Sequence, residues 1–348
     1  MGNQAKPPRS FNTIRHSQTK VRAKRRRQER VVLLAILAVV ALILLSLLIF
    51  GICAIADVIA SNAPPADTGS GTGGGNKPTN PPSVTVLYNE QVTRTISDTY
   101  YGELILVNKT HKYQFPANLL LTKIEEERSK INGSNFYQIN ADILQSTNRP
   151  RVEELESKAF EAFESMMQKH YEISDGDTSV RIRDAYRTLA AQEGFSLAPG
   201  YSDHHTGYCI ALDYANTKQP LESSHWIFRN CYKYGFIVRY PDTKSEITGI
   251  DKGYEYCLRY VGVAHATYIA NSGLCMEEYV ELLKNSYSAD NHLKITGADG
   301  NSYEVYYVPA SAGNELTTIT VPSNYEYTIS GDNNGGFIVT VNLSAPKA

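Results

Sequence analysis

The chain has 348 residues, 42% of them apolar and 20% charged, which suffices for a buried core and excludes global disorder or a collagen-like repeat. Its net charge of −2 conceals a split, because residues 1–30 hold ten Lys or Arg against one acid, a net of +9, and the remainder carries −11. A basic body that binds nucleic acid is thereby excluded, and the basic part is a tail.

In chain order, residues 1–30 read as a basic cytoplasmic tail. Val31–Ile55 is an uncharged apolar run interrupted by Ser46 and Gly51. As a helix it spans roughly 37 Å, enough to cross a ~30 Å hydrocarbon core and too long for the apolar part of a cleaved signal peptide. The spacing predicts a transmembrane helix over 31–56, with the membrane as a partner. The adjacent basic cluster predicts a single pass through the cell membrane, N-terminus inside and the C-terminal domain outside. Residues 57–82, rich in Gly, Pro, Ser and Thr, are expected to be a linker with a root-mean-square reach of roughly 25 Å.

The exported part divides into an N-terminal extension at 83–149, a core at 150–287 and a small β appendage at 290–345. Strands are predicted at 83–96 and 103–107 and a helix at 119–128. Leu155, Ala159, Phe160, Phe163, Met166 and Met167 recur at helical spacing and predict a helix over 151–171. Further helices are predicted at 185–193, 223–234, 264–271 and 276–284, and strands at 179–182, 210–212, 236–239 and 257–261. Gly235 is read as a helix C-cap. Beyond Leu293, short β runs alternate with turns such as Asp299-Gly300. The expected fold class is α+β. Cys209, Cys231, Cys257 and Cys275 allow three pairings, and no CxxC motif occurs.

Three segments hold residues suited to chemistry. His204 and His205 lie in a turn, and Asp213 follows nine residues after His204 at the end of an apolar run; imidazole and carboxylate are both zinc ligands. Thr248–Gly262 contains Glu255 and Cys257, a carboxylate fit to act as general base and a thiol able to bind zinc. Asp184–Gln192 places Arg187 at a predicted helix start, and its planar fork suits the terminal carboxylate that an exopeptidase must hold.

In colinear order these segments resemble those of the VanY-type D-alanyl-D-alanine carboxypeptidases, a zinc peptidase family. Tyr101–Asn108 is similar to its G-x-L-I-L-V-N stretch, Asp184–Gln192 to S-G-Y-R-S-x-x-x-Q, and Ser202–Asp213 to S-x-H-x-x-G-x-A-x-D. Trp226–Pro241 follows W-x-x-x-N-x-x-K-Y-G-F-I-x-R-Y-P, and Thr248–Ala266 follows T-G-I … R-Y-V-G-x-x-H-A. The resemblance implies a small antiparallel sheet with flanking helices, and action on peptidoglycan stem peptides ending in D-Ala-D-Ala. It implies a Zn²⁺ ion held by His204, Asp213 and Cys257, with Glu255 as catalytic base. Arg187 would hold the substrate carboxylate, Ser202 would line the same pocket and Gln192 would orient.

The pattern departs from the family in two places. By strict spacing Ala211, not Asp213, occupies the second ligand position. In T-G-I-x-x-E-P-W-H-x-R-Y-V-G, Cys257 stands at the His, Tyr256 at the Trp, Glu255 at the Pro and Tyr254 at the Glu. Two readings follow: a zinc carboxypeptidase with an atypical site, or a catalytically degenerate peptidoglycan-binding module of the same fold. In the second, Cys209 and Cys257 are available to each other as a disulfide.

Overall fold

Helix α1, Ser157–Ile173, follows from its apolar spacing: Ala159, Phe160, Phe163, Met166, Met167 and His170 are its buried face. The Glu156 carboxylate caps it by accepting from the amides of Lys158 and Ala159. The structure, a computed structural model, describes residues 85–116, 119–124, 138–139, 154–214, 221–222, 224–313 and 316–347. The tail at 1–30, the predicted span at 31–56 and the linker at 57–82 lie outside the described residues. Among the described residues no helix is long and apolar enough to cross a membrane.

The predicted helix at 119–128 is corrected in its first part: Leu121–Lys123 is a strand, β2, paired antiparallel with β4, Glu154–Glu156, helix begins at Ile124, and 125–128 lie outside the described residues. Tertiary contacts override local preference there. The Glu156 amide donates to the carbonyl of Gly207 at 2.8 Å. Gly207 has φ +77°, and a Cβ on it would meet Leu121 Cδ2 at 2.9 Å.

β3 is Gln138–Ile139, β5 Val180–Asp184, β6 Cys209–Tyr214, β7 Phe236–Val238 and β8 Cys257–Tyr260. They form one sheet in the order β3-β5-β6-β8-β7. It is antiparallel except for the β3–β5 edge pair, which is parallel. Strand periodicity sorts the side chains by face. Ile210, Leu212 and Leu258 join Phe163, Met166 and Phe236 in the apolar core. On the other face Cys209, Ala211 and Cys257 gather with Tyr240. A bulge on β5 shifts the register at Arg183, since Ile182 opposes Leu212 and Asp184 opposes Ala211.

The remaining helices are α2 Leu189–Gln192, α3 Trp226–Asn230, α4 Ser245–Thr248, α5 Val263–Ser272 and α6 Met276–Ser286. A 3-10 turn, Cys231–Tyr234, follows α3 and ends at Gly235, φ +82°, as the C-cap expectation required. The predicted strand at 103–107 is instead irregular chain, although Leu104, Ile105, Leu106 and Val107 are all buried. Its backbone is satisfied without strand pairing, by side chains of two strands: Leu104 N–H donates to Ser330 Oγ, and the carbonyls of Glu103 and Ile105 accept from Arg259.

β9 Leu293–Thr296, β10 Ser302–Pro309, β12 Tyr325–Gly331 and β13 Gly336–Pro346 form a second sheet in the order β12-β13-β10-β9. β11, Thr317–Pro322, pairs with β1, Tyr88–Arg94. The first strand described therefore belongs with the appendage in space. Leu87 and Lys347 both donate backbone hydrogen bonds to Asn324, at 2.9 and 3.1 Å. The appendage also shares a core with the helices, in which Ile269, Tyr279 and Leu283 pack with Leu293, Val305 and Ile338. No packing gap separates the predicted core from the predicted appendage.

Candidate functional site

The bulge on β5 brings Arg183 and Asp184 into the lining of one cavity of about 320 Å³. Arg187, Gln192, Phe195, Ser202, His204, Ala211, Tyr240, Tyr254, Tyr256 and Cys257 complete the part relevant to chemistry. A larger cavity, about 500 Å³, lies among Arg94, Tyr101, Tyr113 and Glu156. It contains none of the residues expected to carry chemistry, so the smaller one is the candidate site.

Arg187 is held on three sides. Its Nε donates to Asp184 Oδ2 at 2.8 Å, Nη2 donates to the same oxygen, and Nη1 donates to Gln192 Oε1 at 2.9 Å. Its guanidinium carbon sits 3.9 Å from the centre of the Phe195 ring. Gln192 is itself fixed by donating to the Leu197 carbonyl at 2.9 Å. Three of the five guanidinium N–H groups are thus engaged, and two remain for a ligand in a fixed plane. Asp184, which the motif resemblance leaves without a role, is the residue that orients Arg187, and its signal in the sequence is a carboxylate three residues before the Arg.

His204 is buried, and burial, then the nearby Arg187 charge, lowers its pKa to about 4. The ring is neutral at physiological pH. Its Nδ1 lies 2.7 Å from the Ala185 carbonyl, which only accepts, so Nδ1 carries the proton and Nε2 the lone pair. The preceding Asp203 anchors the turn. It is fully buried between Arg239, whose Nε donates to Oδ2, and Arg259, whose Nε is 3.2 Å from Oδ1 without hydrogen-bond alignment. Glu277 grips Arg239 from the other side with bonds of 3.0 and 2.8 Å. The arginines of the R-Y-P and R-Y-V-G segments therefore turn inward and brace the turn that carries His204. Residue types alone did not reveal that use.

The structure brings Arg187, Ser202, Gln192, His204 and Cys257 to the cavity and does not bring Asp213 or Glu255 there. Asp213 lies two residues beyond Ala211, about 6.7 Å further along the strand. Its carboxylate is fully buried 4.0 Å from Arg183 Nη1. Glu255 instead accepts from the Asp242 amide at 3.1 Å, stitching the 251–256 segment to the turn after Pro241. The residues at the strictly spaced positions, Ala211, Tyr254 and Cys257, all line the cavity.

The donor set does not fit a zinc ion there. His204 offers one imidazole, but Ala211 offers a methyl group. Cys257 is buried, and burial pushes its thiol up to about 12; with His204 it makes two donors, short of the three protein ligands that a zinc site needs. The Cys209–Cys257 disulfide that the binding-module reading allows is not formed: Cys209, Cys231, Cys257 and Cys275 are all free and buried. Among the described residues, three ligand atoms converge to within 4.8 Å of one another only at His170, Asp177 and His225.

A family model described as D-alanyl-D-alanine carboxypeptidase, VanY, matches residues 183–263. A D-alanyl-D-alanine carboxypeptidase of Enterococcus faecium is 31% identical over 263 residues, 72% of this chain and 79% of the relative. Another, from Enterococcus faecalis, is 29% identical over 246 residues, 68% of this chain and 86% of the relative. The crystal structure of the vancomycin-resistance D,D-dipeptidase VanXYg, in complex with a D-Ala-D-Ala phosphinate analogue, is similar with a TM-score of 0.58 and 27% identity. The match covers 73% of this chain and 98% of that one.

Proposed function

The chain belongs to the VanY family of D-alanyl-D-alanine carboxypeptidases, a family of hydrolases, and from that premise we propose that it takes the D-Ala-D-Ala end of peptidoglycan stem peptides into the Arg187 pocket. One observation carries this reading: a guanidinium oriented by Asp184 and Gln192, flat against Phe195, with two N–H groups left over. A planar pair of donors matches a carboxylate and so selects a peptide terminus over an internal bond. Arg183 adds a second positive charge, while neutral His204 offers a lone pair to an amide N–H or the terminal ammonium of a short ligand.

Two outcomes share that recognition step. In one, the terminal bond is hydrolysed and D-alanine leaves, the reaction for which the relatives are named. In the other, the terminus is held and left whole. The lining favours the second. Ala211 and Tyr254 stand where an acid and a base would be needed, and Asp213 and Glu255 are committed elsewhere.

We also propose that the protein acts outside the cell membrane, anchored through residues 31–56. The +9 tail beside an uninterrupted apolar run supports this reading.

The test is calorimetric titration of the detergent-solubilised full chain with a pentapeptide ending in D-Ala-D-Ala and with its C-terminal amide. The free acid is expected to bind and the amide not to; equal binding refutes the proposal. Release of D-alanine after zinc is added would select hydrolysis over capture.

A further inference from the structure

Away from the pocket, His170, Asp177 and His225 place one ligand atom each within 4.8 Å of one another. His170 is on the last turn of α1, Asp177 is in the turn leading to β5, and His225 is the N-cap of α3. We propose that these three side chains form a divalent metal site of the zinc class, with a fourth position open to water, that clasps the end of α1 to the start of α3.

The chemistry of the three groups suits a metal better than it suits a hydrogen-bonded cluster. His170 is 3% exposed, its Nδ1 is buried without a hydrogen-bond partner, and its Nε2 stands 3.9 Å from Asp177 Oδ2, too far for a hydrogen bond. A buried ring nitrogen with no hydrogen bond is costly. The two rings lie 5.0 Å apart between centroids, tilted by 40°. Asp177 is itself oriented by bonds from the Ser179 amide and hydroxyl. The set is two imidazoles and one carboxylate, a known zinc combination.

Closing the site asks little of the fold. Zinc bonds of 2.0–2.2 Å put tetrahedral ligand atoms about 3.3 Å apart, so the side chains must approach by roughly an ångström. His225 Nδ1 accepts from the Ile227 amide at 3.3 Å, a long bond. A metal on Nε2 moves the ring proton to Nδ1 and gives up that bond. The mechanical result is definite. Asp177 lies three residues before β5, the strand that delivers Arg183 and Asp184, so the ion would tie the entry of that strand to two helices.

Metal content of the full chain decides the matter, using zinc alone as the probe after chelator stripping and dialysis. The parent is expected to retain one zinc per chain and to show raised thermal stability with it. His225→Asn keeps a capping acceptor and removes the imidazole, and Asp177→Asn keeps the shape of the turn. Both should lose the ion and the thermal shift while keeping the parent's far-ultraviolet circular dichroism. His204→Gln should keep the zinc. A parent that holds no zinc overturns the proposal. So does zinc that survives both His225→Asn and Asp177→Asn, or zinc lost only in His204→Gln. Peptide binding plays no part in these readouts, so failure here is separate from failure of the pocket assignment.

Discussion

Ala211 and Cys257 oppose each other directly across the β6–β8 ladder, so a methyl group and an un-ionised thiol sit side by side in the cavity that His204 lines. Restoring ligands at these two places should restore a metal site. In a background carrying His225→Asn, the double variant Ala211→Asp, Cys257→His is expected to bind zinc in equilibrium dialysis, whereas the same background without it binds none. Equal zinc in the two proteins would show that the present donors already suffice.

Arg187→Lys should weaken binding of a peptide ending in D-Ala-D-Ala by roughly 10- to 150-fold, the equivalent of about 1.5–3 kcal/mol for a charge-assisted hydrogen bond. Lysine keeps the charge but cannot present the Asp184- and Gln192-held plane. Calorimetry checks this, and unchanged affinity would remove Arg187 from the site.

Asp203→Ala should destabilise the fold by about 3–5 kcal/mol, because it strands buried cationic groups. Glu277 still pairs with Arg239, but Arg259 loses its carboxylate. The urea midpoint reads the loss; a shift worth under about 1 kcal/mol would mean that the carbonyls around Arg259 suffice.

His265 supplies a pH dependence. It is buried between Tyr279 Oη at 2.7 Å and Thr340 Oγ1 at 2.8 Å, and burial lowers its pKa to about 3. The unfolded imidazole titrates near 6.5, so between those values the unfolded chain holds the extra proton. The stability from this group is whole above about pH 6.5 and falls by about 1.4 kcal/mol per unit as pH drops toward 3. Urea unfolding of His265→Asn at pH 6, 5 and 4 should give a slope shallower than the parent's by about that amount. Parallel slopes would contradict the assignment.

The four described cysteines should resist alkylation in the native protein at pH 8. All are buried, and burial pushes Cys231 and Cys257 to about 12 and Cys275 to about 11. Isotope-coded labelling read peptide by peptide should find them modified only after denaturation. Fast native labelling of Cys257 would indicate a thiolate.

The core was legible where burial imposes a period. The stripe from Ala159 to Met167 is helical, and Ile210 and Leu212 point to the core as an alternating strand requires. Glu103–Val107 reads as a strand because it is mostly apolar, but its backbone partners, side chains and the Asp332 carbonyl, lie more than 100 residues away, which local pattern cannot show. Leu121–Lys123 failed for the same reason, its partner being β4. In the site, Arg187, Gln192, Ser202, His204 and Cys257, which the motifs single out, line one cavity. Asp213 lies outside the cavity because two residues along β6 carry a side chain past it, and Glu255, in the turn before β8, is bonded to the Asp242 amide instead.

The meeting of Leu87 and Lys347 at Asn324 makes the described body nearly circular. A bridge between those residues, with a new break at the exposed Asp299-Gly300 turn, would leave the register of both sheets intact. The body could equally be spliced into a loop of a host protein as a single insert, held at one point. A label appended after Lys347 would emerge beside Leu87, where the described body begins.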